Sequence, residues 1–161
     1  MYFISDESML NHYCPWDTYH IEVPERLSTI LEVTKNPELS KSIRNLQLRS
    51  ATEEDLEMVH TKKYISDIKR TKDMTKEEQE EFCSNFEDIY VNRQTFDIAL
   101  LAAGCAFQLV DAVSETGTPG FAAIRPPGHH AFPDRGCGFC IFNNVALAAK
   151  YVSTILIVRK E

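Results

Sequence analysis

The chain has 161 residues, of which 43% are hydrophobic and 25% are charged, so it is long enough to form one domain with a buried core. Its net charge of −7 argues against direct nucleic-acid binding, because neutralising phosphates needs clustered Lys and Arg. The N-terminal segment lacks the basic region and apolar run of a signal peptide, and no segment reaches the roughly 20 apolar residues of a membrane span. The five cysteines are unevenly spaced and favour a reducing, intracellular compartment.

The N-terminal half predicts short strands and amphipathic helices. Tyr2–Ser5 is a candidate first strand, and Asn11–Pro24 reads as an irregular loop. Pro24 opens a helix with an apolar face, which Asn36–Pro37 ends. The further predicted elements of this half are a strand at Leu46–Leu48, a helix capped by Thr52, a helix at Lys62–Thr71 and a charged surface helix at Thr75–Phe82.

The C-terminal half predicts a buried helix between apolar strands. Thr95–Val113 is apolar on most faces, which is typical of a helix inside a core. Phe121–Ile124 and Ile155–Val158 are fully apolar and predict strands of a parallel sheet covered on both faces, with Val145–Val152 as a helix between them. Strands that alternate with helices predict an α/β fold.

A loop rich in Pro, Gly and His follows the first of these strands. It reads RPPGHHAFPDRGCGFCIFNN over residues 125–144, and its prolines and glycines exclude a helix. Ligands of α/β sheets bind at the carboxyl ends of strands. There, His129 or His130 could act as a general base while the other histidine orients a water. The alternative is a pair of solvated histidines, but the flanking glycines and Phe139 favour a site.

The same loop contains a C-x-x-C motif, Cys137–Cys140. Alone, it could be a redox pair or half of a zinc site. A zinc site would need two more ligands. We interpret His60, which the sequence places on a helix with Val59, as a packed or capping residue. The other candidate ligands, which show no recognised spacing, are His12, Cys14, His20, His60 and Cys83.

These segments together resemble the zinc-dependent histone deacetylase family. The similarity rests on RPPGHH and GCGFCIFNNVALAAKY, and it continues upstream in CPWDTYHIEVPERL, DLEMVHTKKYI and LLAAGCAFQLVDAV. PWD, VPERL and IRPPGHHA are most similar to class II. The resemblance covers roughly residues 2–158. It implies a three-layer α/β fold of the arginase/deacetylase type, with residues 1–161 as the N-terminal portion of the domain, truncated after about the fourth strand.

The resemblance implies hydrolysis of acetyl-lysine amides with a zinc ion that polarises the carbonyl and activates a water. By the same resemblance, His130 is the general base and His129 its electrostatic partner. Gly138 would offer its carbonyl to the substrate amide, and Phe139 would form one wall of the lysine tunnel. Asp88 lines up with the rim position that holds the substrate backbone, where the class II branch often has Ser.

The chain departs from the family pattern after Val158. In the family, the equivalent strand leads into Asp-Trp-Asp-x-His-His-Gly, which supplies two of the three zinc ligands, whereas Arg159–Glu161 follow here. We therefore expect this chain alone to hold no zinc and to be inactive.

The same resemblance implies acetylated histones or other acetyl-lysine proteins as partners, a role in chromatin regulation, and a location in the nucleus, the cytoplasm or both. Two other interpretations remain open at this point. One is a non-catalytic fragment or splice product that acts as a binding or regulatory piece. The other is a small CGFC thiol protein.

Overall fold

The structure is a computed structural model that describes residues 1–158. Its strands are β1 Tyr2–Ile4, β2 Arg44–Asn45 and β3 Gly120–Ala122. Its α-helices are α1 Glu25–Thr34, α2 Pro37–Ser40, α3 Glu53–Leu56, α4 Lys62–Arg70, α5 Lys76–Cys83, α6 Thr95–Thr116 and α7 Asn144–Val158. Two 3₁₀ turns, Glu7–Asn11 and Thr71–Asp73, complete the described elements.

A parallel three-stranded sheet in the order β2-β1-β3 confirms the α/β prediction. The central strand β1 pairs with β3 in the register Tyr2 to Gly120. The predicted first and third strands are therefore confirmed with slightly different bounds. The strand expected at Leu46–Leu48 is wrong, because β2 lies just before it at Arg44–Asn45 and its pairing with β1 ends where the Leu46 amide donates to the Phe3 carbonyl at 2.9 Å.

Side-chain caps define where the short helices begin. Thr52 and Thr75 each accept a hydrogen bond from the backbone three residues on, and acidic side chains return a bond to the cap amide. Such capping boxes satisfy amides that have no partner within the helix. Thr61 caps α4 with a single bond, in which its side chain accepts from the Tyr64 amide. The prediction of a helix capped by Thr52 is confirmed, although α3 is only one turn long.

The long helix α6 separates two apolar clusters and contributes to both. One cluster joins it to β1 and α1, and the other joins it to α4, α7 and the loop before α7. By length and composition α6 could cross a membrane, but its apolar side chains form the core of this fold. Gly104 permits a close approach, because a Cβ there would lie 2.2 Å from the Arg49 carbonyl oxygen.

The strand predicted at Ile155–Val158 is wrong: the backbone of α7 continues to Val158 as helix. No Pro or Gly interrupts the sequence after Asn144. A helix satisfies its backbone hydrogen bonds within the segment, whereas a strand needs a paired neighbour. Within residues 1–158 the sheet has three strands and none pairs with this segment, so the expected fourth strand is not part of the described sheet.

Candidate functional site

The predicted site lies on the long loop, residues 125–143, that joins β3 to α7. His129 and His130 are adjacent and exposed, with ring centroids 4.2 Å apart and ring planes at 53°. Gly128 brings the start of this loop against its end, because a Cβ there would lie 2.3 Å from the Phe142 carbonyl oxygen and 2.5 Å from the Asn144 nitrogen. Only glycine fits such a contact with backbone atoms.

A tight turn lies at Cys137–Cys140. The two cysteines exchange backbone hydrogen bonds, at 3.2 Å from the Cys137 amide and 3.0 Å from the Cys140 amide. Gly138 and Phe139 both have positive φ, 53° and 69°, which is typical of a two-residue type I′ turn. For Phe139 this conformation costs roughly 1–2 kcal/mol, so other contacts must hold the turn.

Residues 87–88 provide those contacts. The Gly138 amide donates to the Glu87 carbonyl at 2.9 Å, and the Phe139 amide donates to the Asp88 carbonyl at 2.6 Å. Asp88 itself has a φ of 49°. The Glu87 and Asp88 side chains are exposed beside the turn. The structure therefore brings Asp88, predicted from sequence, next to the turn, and its backbone supports Phe139.

The turn also lies against the histidine pair. A Cβ on Gly138 would lie 3.1 Å from Cδ2 of His130, and the His130 amide donates to the Cys140 sulfur at 3.4 Å. The Phe139 and His20 rings pack with their planes at 80° and their centroids 5.4 Å apart. All five predicted site residues therefore lie in one region of the surface. His20, which sequence reasoning considered only as a possible metal ligand, lies there as well.

His60 is a packed histidine, as interpreted from the sequence. It is 3% exposed, and its Nε2 accepts a hydrogen bond from the Asn143 amide at 2.9 Å. Burial lowers the pKa of His60 below its ordinary value, although backbone carbonyls at Pro133 and Phe132 oppose the shift. The neutral imidazole thus fixes the end of the histidine loop at the first residues of α7.

A buried ionic cluster begins the same loop, and sequence reasoning missed it. Arg125 and Glu22 are 4% and 2% exposed, and they form a two-point ion pair, with Nε to Oε1 at 2.8 Å and Nη2 to Oε2 at 2.5 Å. Tyr90 donates its hydroxyl to Glu22. The available signal was weak, since one Glu and one Arg separated by a hundred positions carry no recognisable spacing.

Two histidines pack against the Tyr90 ring of that cluster. His12 stacks on it with centroids 4.5 Å apart, and His20 packs against it with centroids 4.6 Å apart and ring planes at 80°. Burial, together with the positive charge of Arg125, lowers the pKa of His12 well below its ordinary value. His12 also bonds to the Thr95 hydroxyl at 2.9 Å through Nδ1. Both imidazoles therefore have packing roles in this structure.

The five cysteines of the chain are free thiols. Desolvation, with Glu87 nearby, raises the pKa of Cys137, and desolvation raises the pKa of Cys140. Raised pKa values reduce the thiolate fraction, which is the reactive form. These environments disfavour the interpretation of the chain as a thiol-redox protein.

Within residues 1–158, no three His, Cys, Asp or Glu side chains converge to hold a metal ion. The described residues therefore do not fit a complete zinc site. A cavity of about 190 Å³ opens beside Arg125 and Pro127, between α1 and β3. An apolar groove of about 320 Å³ lies at the sheet edge, next to Phe3 and Phe121. Neither cavity is lined by the histidine pair.

Comparison with known proteins gives a consistent picture. Residues 20–159 match the histone deacetylase domain family. The chain is similar to the polyamine deacetylase HDAC10 of Homo sapiens, with 41% identity over 84% of this chain and 21% of that protein. It is also similar to histone deacetylase 5 of Arabidopsis thaliana, with 36% identity over 92% of this chain and 23% of that protein.

Among solved structures, the chain resembles the crystal structure of the HDA15 HD domain. The TM-score is 0.83 and the sequence identity 29%, over 95% of this chain and 42% of that one. The chain spans about a fifth of the length of the curated relatives it matches.

Proposed function

Since this chain belongs to the histone deacetylase domain family, we propose that it supplies the proton-transfer residues and one wall of an acetyl-amide hydrolase site. The observation that carries this proposal is the contact between His130 and the Gly138–Phe139 turn. It brings an exposed imidazole pair, a backbone free to approach a ligand and an aromatic ring to one surface.

His130 acts as the general base in this proposal, and His129 as its electrostatic partner. Imidazole is the side chain whose ordinary pKa suits proton transfer near neutral pH. The ring centroids lie 4.2 Å apart, so both imidazoles can reach the same water. His130 accepts the proton of that water in this proposal, and His129 lies beside the developing charge.

Substrate contacts fall to Gly138, Phe139 and Asp88. Gly138 lies beside His130, where a Cβ would be 3.1 Å from the ring, and in this proposal its carbonyl accepts a hydrogen bond from the substrate amide. Phe139 offers an apolar wall for a long aliphatic side chain. The exposed Asp88 carboxylate suits a hydrogen bond to a substrate backbone amide at the rim.

We also propose that the whole enzyme is zinc-dependent and of class II. The support is the sequence resemblance of RPPGHHA, PWD and VPERL to that class. The described residues offer no converging set of ligands, so no step of this proposal passes through the metal. For the 161-residue chain on its own we expect neither stoichiometric zinc nor turnover, because it contains no Asp-Trp-Asp-x-His-His-Gly motif.

Two substrate classes follow from the relatives' names. An acetyl-lysine protein, such as a histone, fits the histone deacetylases of plants, and an acetylated polyamine fits the polyamine deacetylase of vertebrates. The exposed carboxylates of Glu87 and Asp88 beside the turn would attract either cationic substrate. The proposed location is the nucleus, the cytoplasm or both, which the free cysteines support.

A chimera tests the proposal directly. The chain replaces its matching residues in the human polyamine deacetylase, and the product is assayed on an acetyl-lysine peptide and on an acetylated polyamine. We expect His130→Ala to lose activity by on the order of 10²–10⁴, and Cys137→Ala, as the matched control in the same loop, to lose far less. Equal losses would overturn the assignment of the base.

The chain alone provides the second arm of this test. Metal analysis and the same assays are applied to the purified 161-residue protein. Zinc at one equivalent, with turnover abolished by a hydroxamate chelator, would contradict the expectation that this chain is inactive alone. An active chimera with an inactive chain would agree with the proposal, and an inactive but folded chimera would favour a non-catalytic binding role.

A further inference from the structure

The buried cluster that begins the histidine loop is not used by the proposed chemistry. Arg125 donates from Nη1 to the Met9 carbonyl at 2.9 Å, and from Nη2 to the Tyr90 hydroxyl at 3.0 Å. Its remaining side-chain hydrogen bonds are the two to Glu22. Four of the five guanidinium hydrogens therefore have partners in three different segments of the chain.

Stability is a poor explanation for this ion pair. Desolvating two charges costs several kcal/mol each, and apolar replacements of the same volume are often equally stable. A two-point Arg–carboxylate contact does provide directional geometry, because the planar fork fits the carboxylate in one orientation. The pair therefore fixes the direction of the side chains that it joins.

Both partners lead directly to the candidate site. On one side, Arg125 is the residue from which the loop runs through Gly128 to the histidine pair. On the other side, the backbone amide of Glu22 donates to Nδ1 of His20 at 3.1 Å. The His20 ring then packs against Phe139, with centroids 5.4 Å apart. The ion pair therefore joins the residue where the loop begins to the residue whose backbone contacts His20.

We propose that Glu22 and Arg125 are positioning residues, which set how the His129–His130 pair lies against the Gly138–Phe139 turn. They act through the loop backbone and through His20, without touching a substrate. Their importance for catalysis rests on the proposed function. The geometric effect itself can be measured on the chain without any activity.

Arg125→Lys is the first variant, because it keeps the charge and loses the planar fork. Backbone amide exchange and imidazole nitrogen signals are followed by NMR in the 161-residue chain. We expect the His130 and Phe139 amides to exchange faster by on the order of 10-fold, with shifted signals for His129, His130 and His20. Ile68→Val, in the core away from the cluster, is the control and should leave these signals in place.

The double variant Glu22→Leu with Arg125→Met keeps the test decisive if the single variant does not fold. It removes both charges together, so no unpaired charge remains, and the Tyr90 hydroxyl still has the Glu22 carbonyl as an acceptor at 3.2 Å. We expect this folded protein to show the same local changes. A folded variant of either kind with unmoved His130 and Phe139 signals would overturn the proposal.

Local change must also be separated from general loss of stability. If exchange rises equally at amides of α6, the effect is global, and the positioning role is contradicted. Because none of these measurements uses turnover, a failed deacetylase assay would leave the positioning role standing. Unmoved signals would, conversely, leave the assignment of His130 as the base untouched.

Discussion

The two ends of the histidine loop are held by different kinds of interaction. At its start, Arg125 is held by the charge of Glu22 inside the protein. At its end, the Asn143 amide is held by one neutral nitrogen of His60. The exposed His129 and His130 lie between these two anchors. The first anchor should respond to removal of charge, and the second to protonation.

Arg125→Met should give the largest effect, because it leaves the buried Glu22 carboxylate with only the exposed Arg26 guanidinium, 4.0 Å away, as a cation. Removing one partner of a buried pair lowers the free energy of unfolding by about 3–5 kcal/mol. Urea unfolding of the variant and the wild-type chain measures this loss. Adding Glu22→Leu should recover most of that loss. As a control, Lys72→Met breaks the exposed pair with Asp97 and should cost about 0–1 kcal/mol. A single variant as stable as the wild-type chain would show that the start of the loop does not depend on charge.

Gly128→Ala should give the second-largest loss of stability, because Gly128 lies where the start and the end of the histidine loop are in contact. The new methyl would lie 2.3 Å from the Phe142 carbonyl oxygen, and overpacking against backbone costs typically about 1–3 kcal/mol. Gly117→Ala is the matched control, since no atom lies within 4 Å of its Cβ position. Its positive φ of 68° alone should cost roughly 1–2 kcal/mol. Equal losses in thermal unfolding would show that the loop ends can separate at little cost.

The pH dependence of stability should reveal the second anchor. The pKa of His60 is lowered in the fold, so below about pH 6.5 the unfolded chain binds the proton first. The contribution of His60 to the free energy of unfolding is therefore fully present above that pH. It falls on acidification by at most about 1.4 kcal/mol per pH unit for one histidine. His12 acts in the same direction.

His60→Gln should reduce this slope in urea titrations repeated at several pH values. Above pH 8, His12 and the wild-type His60 are neutral. The difference in unfolding free energy between variant and wild type at that pH therefore reports only the changed contact with Asn143. A slope below pH 6.5 identical to that of the wild-type chain would mean that His60 does not couple the loop to protonation.

The smallest effect concerns the turn between the anchors and leaves stability unchanged. A maleimide probe at neutral pH should label Cys137 first, because the other four cysteines are buried. Even this reaction should be slow, since the pKa of Cys137 is raised. Mass spectrometry of timed samples gives the order, with the urea-unfolded chain as reference. Fast labelling of Cys137 and Cys140 together would instead support the interpretation of the chain as a CGFC thiol protein.

Local sequence signals determined several parts of this protein. The α/β class, the buried helix α6, the Thr52 cap and the loop with His129 and His130 could all be predicted, because each depends on periodicity, capping chemistry or turn residues within a few positions. The motif RPPGHH with GFCIFNN also identified the family. All five predicted site residues lie together in the fold, although their chemical roles stay predictions.

Only the tertiary structure decided the rest, because the contacts involved join distant positions. The ion pair of Glu22 with Arg125 spans 103 positions, and no local pattern marks either partner. The helical backbone at Ile155–Val158 also depends on distant contacts. Its apolar sequence suits a strand, but a strand forms only where another strand pairs with it. Local sequence can therefore favour a helix or a strand, but contacts with distant segments determine which of the two forms.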